Sequence, residues 1–492
     1  MASTVSSYRS DWNPLIFVGL ALLGGALAAM LALGVSIVKI VGAVAILGIF
    51  AAAAYRLEWG LIGLVFLTYT RATDVAVKQY DTPSITQPLI GLLVLVVLAR
   101  WHFKGERPSG WQRGALLLAG YGMARFASLL FADYFGGALY ALTEYAKDAI
   151  IAIIVTVLLY RGVTLRRVSW ALVAAGTFLG TIAVIQYVTG AFENSFGGFG
   201  EAQISHIIGV TNDYRIGGPD LHPNAYAQIM IPLVALALDR LLHERSRALR
   251  LLAGWGLLAS MLTIVFTFSR GALVAMAMML GLWFLRRPPP PRQLALAVLL
   301  LVPLIRVLPP TYTSRMATLL EIVPVITGDS ADGVTAEVSF RGRSSEVMVA
   351  FQMFADRPFL GVGLGNYPVH YQTYSRQIGL DPRRENRSPH SLLPQIAAET
   401  GIVGLATFSI LLWGVFSGLW RAEKALTRIG RWDYAGIASA LALGILGYLF
   451  ASLFLHMVYP RFFWLLIGVA LAVPQVAKYE LALAGESRRG KR

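Results

Sequence analysis

The chain has 492 residues, of which 56% are hydrophobic and only 14% are charged. A soluble globular domain carries about 25% charged residues, so this composition is typical of a membrane protein and excludes an ordinary soluble enzyme. The net charge of +15 is explained by basic cytoplasmic loops better than by nucleic-acid binding. Because the chain contains no cysteine, disulfides, thiolate zinc sites and a cysteine nucleophile are excluded.

Apolar segments long enough to cross a bilayer recur along almost the whole chain. Fourteen candidate spans follow from their lengths, at about 14–33, 35–55, 58–70, 85–101, 112–131, 137–160, 168–189, 223–242, 249–268, 271–287, 293–309, 399–420, 433–454 and 461–477. The third is short and neighbouring pairs are easily misdivided, so twelve spans also fit the pattern. The first segment is followed at once by another and is interpreted as a retained helix, not a cleaved signal.

Basic residues predict the orientation of these spans. With both termini in the cytoplasm, each short inside loop carries a basic cluster such as Arg161, Arg166 and Arg167, as the positive-inside rule requires. Two long segments, about 189–222 and 309–398, then lie outside. In the second, Val347, Ala350, Phe351 and Phe354 recur at helical spacing. We expect a helix over 344–354, capped by Ser344 or Ser345 and ended by Pro358.

The outside segments are unexpectedly rich in arginine. An anionic ligand would explain this, because guanidinium groups bind phosphate oxygens in pairs. The alternative is that long translocated loops escape the charge rule. The arginines concerned are Arg215, Arg270, Arg315, Arg341, Arg343, Arg357, Arg376, Arg383, Arg384 and Arg387.

The strongest candidate for chemistry is His390, in the run Ser388-Pro389-His390-Ser391-Leu392. We expect Ser388 to be the helix N-cap and Pro389 the first helical residue. This places His390 in the first turn, where the helix dipole disfavours a protonated imidazole. A neutral histidine is suited to act as a general base; the alternative is a histidine that only satisfies a loop carbonyl.

Three further features carry open alternatives. The glycine-rich stretch 357–367 forms either an anion-binding concavity or a tight turn. Arg270, at the outer end of a span, either anchors at lipid head groups or points at a lipid-linked phosphate. The intramembrane residues Arg125, Glu144, Lys147 and Asp148 form either a buried pair between two helices or a wall of a lipid-phosphate cavity.

These motifs together resemble the family of O-antigen ligases and O-antigen polymerases. The resemblance rests on the runs Ser269-Arg270-Gly271-Ala272, Arg343, Pro358-Phe359-Leu360-Gly361-Val362-Gly363, and a histidine before Glu399-Thr400-Gly401. The pattern His390-Ser391, nine residues, Gly401 and Gly404 is similar to that of the ligases, and His222-Pro223-Asn224 also recurs in the family. The resemblance covers roughly 215–405 and implies an all-α polytopic membrane fold of the GT-C-like type, with about 12–14 transmembrane helices.

The resemblance also implies a function and a site. It implies metal-independent, inverting transfer of a glycan from undecaprenyl pyrophosphate to lipid A–core, at the periplasmic face of the bacterial inner membrane and without a cofactor. His390 would be the general base or would orient the acceptor. Arg270 and Arg343 would bind the pyrophosphate, joined by Arg215, Arg341 and Arg125. The residues expected to contact the acceptor or shape the loops are His222, Asn224, Gly361 and Gly363.

The implied organisation is a transmembrane bundle at 1–308 with a periplasmic loop near 190–222, a large periplasmic loop with amphipathic helices at 309–398, and C-terminal helices with a basic cytoplasmic tail at 399–492. Alternatives within the superfamily are an O-antigen polymerase and a protein O-oligosaccharyltransferase, which differ in the acceptor. An alternative of another class is a transporter of lipid-linked substrates, but such proteins usually carry internal repeats, and none is visible in this sequence.

Overall fold

The computed structural model describes residues 47–48, 50–53, 55–105, 110–206, 212–219, 222–288, 338–378, 387, 389–454 and 460–489. Several predictions lie outside these residues. They are the spans 14–33 and 293–309, most of 35–55, and the residues Arg315, Arg383, Arg384 and Ser388.

The described segments are mainly helical. The helices are α1 Leu57–Thr70, α2 Ala72–Tyr80, α3 Thr86–Lys104, α4 Gln112–Leu129, α5 Phe135–Leu158, α6 Gly162–Thr189, α7 Pro223–His243, α8 Arg247–Phe266, α9 Arg270–Arg286, α10 Val338–Asp356, α11 Tyr367–Gln377, α12 Leu392–Arg428, α13 Trp432–Ala451 and α14 Pro460–Arg489. Helix α7 lies inside the bundle and packs against α8, α9 and α13.

Seven of the described helices are long and apolar enough to cross a membrane: α3, α6, α7, α8, α12, α13 and most of α14. An eighth span is possible if α1 and α2, which meet at a 61° bend, cross together. The remaining predicted spans that fall within the described residues, 58–70, 112–131, 137–160 and 271–287, are also mainly helical. Of these, α9 has only 17 residues and α5 carries Glu144, Lys147 and Asp148. The prediction of an all-α polytopic membrane protein is confirmed.

A small antiparallel sheet in the first long loop was not predicted. Strand β1, Glu201–His206, pairs with β2, Asn212–Gly218, and Gln203 lies opposite Arg215. The hairpin leads the chain to the start of α7, where His222 is the N-cap and Pro223 the first helical residue. The sheet therefore brings Arg215 close to the His222-Pro223-Asn224 motif.

The predicted start of the helix after His390 is wrong. Helix α12 begins at Leu392, with Ser391 as the N-cap, so His390 precedes the helix and is not in its first turn. The reason is a tertiary contact, because the backbone N–H of Leu392 donates to the carbonyl of Ser452 at 2.9 Å. The helix is also interrupted at Gly401, where φ is 63° and ψ is −162°, so residues 392–400 form a separate first segment.

The predicted amphipathic helix exists but is longer and turned differently. Helix α10 begins at Val338, so Ser344 and Ser345 lie inside the helix and not at its start. Its end at Asp356, two residues before Pro358, agrees with the prediction. The buried face consists of Glu346, Val349, Ala350 and Met353, each at most 1% exposed. Phe351, expected on that face, is 59% exposed. The apolar pattern did not identify the buried face correctly, because that face includes the carboxylate of Glu346.

Candidate functional site

Most of the predicted site residues lie at one end of the bundle, which we call the loop end. Helices α7, α9, α12 and α14 all begin there. Arg215 Nε donates to the carbonyl of Thr267 at 2.8 Å, just before Arg270 begins α9. A side chain at Gly271 would contact Phe454, close to Ser452, which accepts from the first residue of α12. A chain of contacts thus connects Arg215 and the start of α9 with the segment that follows His390.

The imidazole of His390 contacts a buried carboxylate. Its Nδ1 lies 2.7 Å from Glu346 Oε2, and its backbone N–H donates to the same oxygen at 3.3 Å. Arg387 Nη1 donates to the other oxygen at 3.1 Å. The Glu346 side chain is only 1% exposed, whereas that of His390 is 38% exposed. A buried acid therefore holds a histidine that is accessible to a substrate.

Sequence reasoning missed Glu346. The residue lies 44 positions before His390 in another helix, and nothing local connects the two. The signal that was present is a carboxylate at helical spacing with Val349, Ala350 and Met353, on the face that is buried. A lone acid on an apolar face is normally paired, so it indicates an unseen partner.

The glycine-rich stretch is a structural joint for the break in α12. The backbone N–H groups of Ile402 and Val403 donate to the carbonyls of Pro358 and Phe359 at 2.7 and 3.3 Å. Gly361 has a φ of +71°, and a Cβ there would collide with the backbone of Ala398 and Glu399. A Cβ at Gly401 would collide with Phe359 in the same way. These glycines allow two backbones to touch.

The same stretch is tied to the loop between α4 and α5. Gly363 has a φ of +106° and lies against the backbone of Ala132. The fully buried Asn366 accepts from the N–H of Tyr134 at 2.7 Å and donates to its carbonyl at 3.3 Å. The stretch 357–367 therefore joins α4, α5 and α12 into one unit. The backbone N–H groups of Gly365 and Tyr367 donate to the buried Glu399 carboxylate, so these amides bind an acid of the chain itself.

Arg215 and Asn224 contact each other. Arg215 is 5% exposed, and its Nη2 donates to Asn224 Oδ1 at 2.8 Å. The backbone N–H of Asn224 donates to His222 Nδ1 at 3.4 Å. Arg341 and Arg343 lie in α10, with Arg343 one turn before Glu346; the structure describes only their backbone.

A cavity of about 510 Å³ opens next to this region. Leu392, Gln395 and Ile396, from the first turns of α12, form one side of it. Its charged lining residues are Arg71, Asp74, Arg125, Glu144, Asp148, Glu399 and Arg461. Of the charged residues singled out in α4 and α5, Arg125, Glu144 and Asp148 line this cavity, whereas Lys147 is not among the lining residues.

The acids of α5 do not pair with a basic residue of α4, as a buried pair between these two helices would require. The basic partner of the α5 acids is Arg461 of α14, whose Nε is 3.1 Å from Asp148 and whose Nη2 is 3.4 Å from Glu144. Lys147 lies 2.6 Å from Glu144. Arg125 instead donates to the Tyr121 hydroxyl at 3.3 Å and to the carbonyl of Ala141 at 3.2 Å. Its guanidinium carbon lies 5.1 Å from the centre of the Tyr145 ring.

Arg71 and Arg461 are two site residues that sequence reasoning did not single out. Arg71 occupies the bend between α1 and α2 in a left-handed conformation, with a φ of 55°. Its Nε lies 2.9 Å from Asp74, and its Nη1 donates to the carbonyl of Pro219 at 3.0 Å. A non-glycine residue in this conformation is uncommon, so the bend is a candidate part of the site. Among the described residues, no group of three or more His, Asp or Glu side chains is arranged to hold a metal ion.

Comparison with known proteins bears on this arrangement. Residues 255–409, about a third of the chain, match the family model described as O-antigen ligase. No curated protein matches the sequence. The matched region contains Arg270, Arg343, the glycine-rich stretch and His390, whereas the His222-Pro223-Asn224 motif of the resemblance lies before it. Residues 255–409 are therefore similar to the O-antigen ligase family, and the match indicates a glycosyltransferase-like membrane enzyme.

Proposed function

We propose that the chain is an O-antigen ligase. It transfers a glycan from undecaprenyl pyrophosphate to a sugar hydroxyl of lipid A–core, with the loop end at the periplasmic face of the bacterial inner membrane. The single observation that carries the proposal is the 2.7 Å contact between His390 Nδ1 and the buried Glu346 carboxylate, within the region that matches the family. A histidine held in this way is equipped to handle the proton of an attacking hydroxyl.

The carboxylate selects the tautomer of the histidine. With the Nδ1 proton donated to Glu346, Nε2 is the basic nitrogen of the neutral ring. Nε2 takes the proton of the acceptor hydroxyl, or orients that hydroxyl, while its oxygen attacks the anomeric carbon of the donor sugar. The bond between that carbon and the pyrophosphate oxygen breaks, and the configuration inverts. Glu346 is the positioning residue, comparable to the aspartate that orients the histidine in a serine-protease triad.

Arginines stabilise the charge that develops on the leaving pyrophosphate, so that no metal is needed. Arg270 and Arg343 are the proposed ligands, with Arg341 two positions earlier in α10. Arg215 contributes by holding the segment before Arg270, because two of its N–H groups already donate to Thr267 and Asn224. His222 and Asn224 complete this side of the site.

One observation favours the second candidate, a transporter of lipid-linked substrates. Two helical segments are broken near the cavity, at Arg71 and at Gly401, and discontinuous helices form the binding sites of many transporters. A polymerase or a protein O-oligosaccharyltransferase would use the same chemistry with another acceptor.

A transfer assay in detergent tests the proposal. The purified protein is supplied with undecaprenyl-pyrophosphate glycan and lipid A–core in the presence of EDTA. We expect glycan-capped core, and none with His390→Ala of equal thermal stability. Lengthening of the glycan on its own lipid would favour the polymerase. Movement of donor across vesicles without any product would favour the transporter, and a requirement for a divalent ion would contradict the role given to the arginines.

A further inference from the structure

The cavity at the loop end is poorly suited to a pyrophosphate. Its charged lining consists of three arginines and four carboxylates. Two of the arginines are already paired, Arg71 with Asp74 and Arg461 with Asp148 and Glu144. A polyanion would meet a surplus of acids with no surplus of cations, and like charges in a desolvated site repel strongly. The ligand of this cavity is therefore expected to be uncharged.

The polar groups of the cavity are suited to hydroxyls. Glu144, Gln395 and Glu399 are among the lining residues. Glu144 accepts from Lys147 and Arg461, and Glu399 accepts from Gln395. Carboxylate and amide oxygens have further lone pairs that accept hydrogen bonds from hydroxyl groups. Arg125 offers the complementary donor. Its Nε is buried and has no hydrogen-bond partner among the described residues. A buried N–H without a partner is unfavourable, and a hydroxyl oxygen in the cavity would satisfy it.

Aromatic rings supply the apolar contact. Trp464 and Tyr121 line the cavity and are at most 3% exposed. Tyr140 also lines it but is 68% exposed, so its ring is available at the surface to an incoming molecule. The C–H face of a pyranose ring packs against the electron-rich face of an aromatic side chain. A cavity that combines carboxylates, an unpaired donor and aromatic rings has the chemistry of a sugar site, and its volume is in the range of small-molecule pockets.

We propose that this cavity binds an uncharged sugar residue of the acceptor. The inference rests on the proposed function and adds the position of the acceptor to it. The cavity wall includes Leu392 and Gln395, which begin α12 directly after His390. A sugar held there lies beside the segment that carries the proposed base. Under this proposal Arg125 binds a sugar hydroxyl and not the pyrophosphate.

Two variants with matched controls test the acceptor site. Tyr140→Ala removes the exposed ring, and Glu144→Gln removes a charge without changing shape. Phe131→Ala and Glu193→Gln remove an exposed ring and an exposed carboxylate elsewhere at the loop end. We expect the KM for lipid A–core to rise by roughly tenfold or more in the first two, as for loss of a substrate hydrogen bond. The KM for the lipid-linked donor, and both constants in the controls, should change by less than about twofold. A rise in the donor KM alone would overturn the proposal, as would unchanged kinetics.

A binding measurement separates this proposal from the proposed function. Saturation-transfer NMR uses the full-length protein in nanodiscs with core oligosaccharide that has been freed from lipid A and dephosphorylated. We expect contacts that weaken in Tyr140→Ala and Glu144→Gln and persist in the controls. If the wild-type protein caps no lipid A–core, the proposed function fails, while saccharide contacts that depend on Tyr140 would still support a sugar site. Absence of contacts, or contacts insensitive to both variants, would overturn it.

Discussion

Replacing the carboxylate behind His390 tests the arrangement at the proposed reaction centre. Glu346→Gln keeps the size of the side chain but removes the charge that accepts from His390 Nδ1 at 2.7 Å. A hydrogen bond to a charged group contributes about 1.5–3 kcal/mol. Because about 1.4 kcal/mol corresponds to a factor of ten, we expect kcat to fall roughly 10- to 150-fold. The donor KM should stay unchanged, since Glu346 is 1% exposed and reaches no substrate.

The assay is the rate of glycan capping of lipid A–core, measured beside the melting temperature of each purified variant. Arg387 also loses the charge of its partner, and the melting temperature reports any structural effect of that loss. Glu423→Gln is the matched control, because it removes the partner of Arg287 at 3.5 Å and lies near the opposite end of α12 from His390. This control should retain full activity.

A double-mutant cycle decides whether Glu346 acts through His390. If it does, Glu346→Gln combined with His390→Ala loses no more activity than His390→Ala alone. Additive losses would show that the two residues act independently. Wild-type activity in a stably folded Glu346→Gln would refute the reasoning that the carboxylate positions the base.

Three further predictions concern the glycine-rich stretch at Gly361, the protonation of His370 and the orientation of the protein in the membrane. Gly361→Ala should lower the melting temperature much more than Gly430→Ala. Both glycines have positive φ, which costs an alanine about 1–2 kcal/mol. A Cβ added at Gly361 would collide with backbone, whereas a Cβ added at Gly430 would meet no other part of the chain within 4 Å. Burial lowers the pKa of His370, so the unfolded chain binds the proton more readily and stability should fall as pH drops below about 6.5. In thermal melts between pH 7 and 5, His370→Gln should show a smaller fall in stability than the wild-type protein. An equal fall in both proteins would show that His370 is not the cause. Because the chain has no cysteine, single introduced cysteines report the orientation of the protein. In cells with a permeabilised outer membrane, a maleimide that cannot cross the inner membrane should label Glu193→Cys and leave Arg428→Cys unlabelled. The reverse pattern would show the opposite orientation.

Local patterns in the sequence were sufficient for the class of the protein and for several motif residues. Spans such as 223–242 and 433–454 were predicted close to their observed positions, because about 20 apolar residues are a strong signal. The start of α12 was wrong by three residues, since Ser388 and Pro389 match a helix start while the contact with Ser452 sets it at Leu392. Helix boundaries depend on such contacts and are the least reliable part of a sequence prediction.

The partners of charged residues were beyond sequence reasoning. Glu144 and Asp148 were recognised as needing a partner, but Arg461 lies more than 300 residues away in the chain. Their pairing depends on how α5 packs against α14, which no local pattern encodes. The same holds for Arg71, whose significance follows from the bend that places it at the cavity.

The sequence by itself determined that this is a polytopic membrane protein, that it carries the motifs of the O-antigen ligase superfamily, and that His390 and Arg270 deserve a test. Hydropathy and motif spacing are local properties, so they can be read without a fold. Only the tertiary structure decided that Glu346 lies behind His390, that Gly361 and Gly401 let two backbones meet, and that three arginines and four acids surround one cavity. Each of these depends on side chains brought together from distant parts of the chain, because burial makes an unpaired charge or an extra Cβ too costly to leave in place.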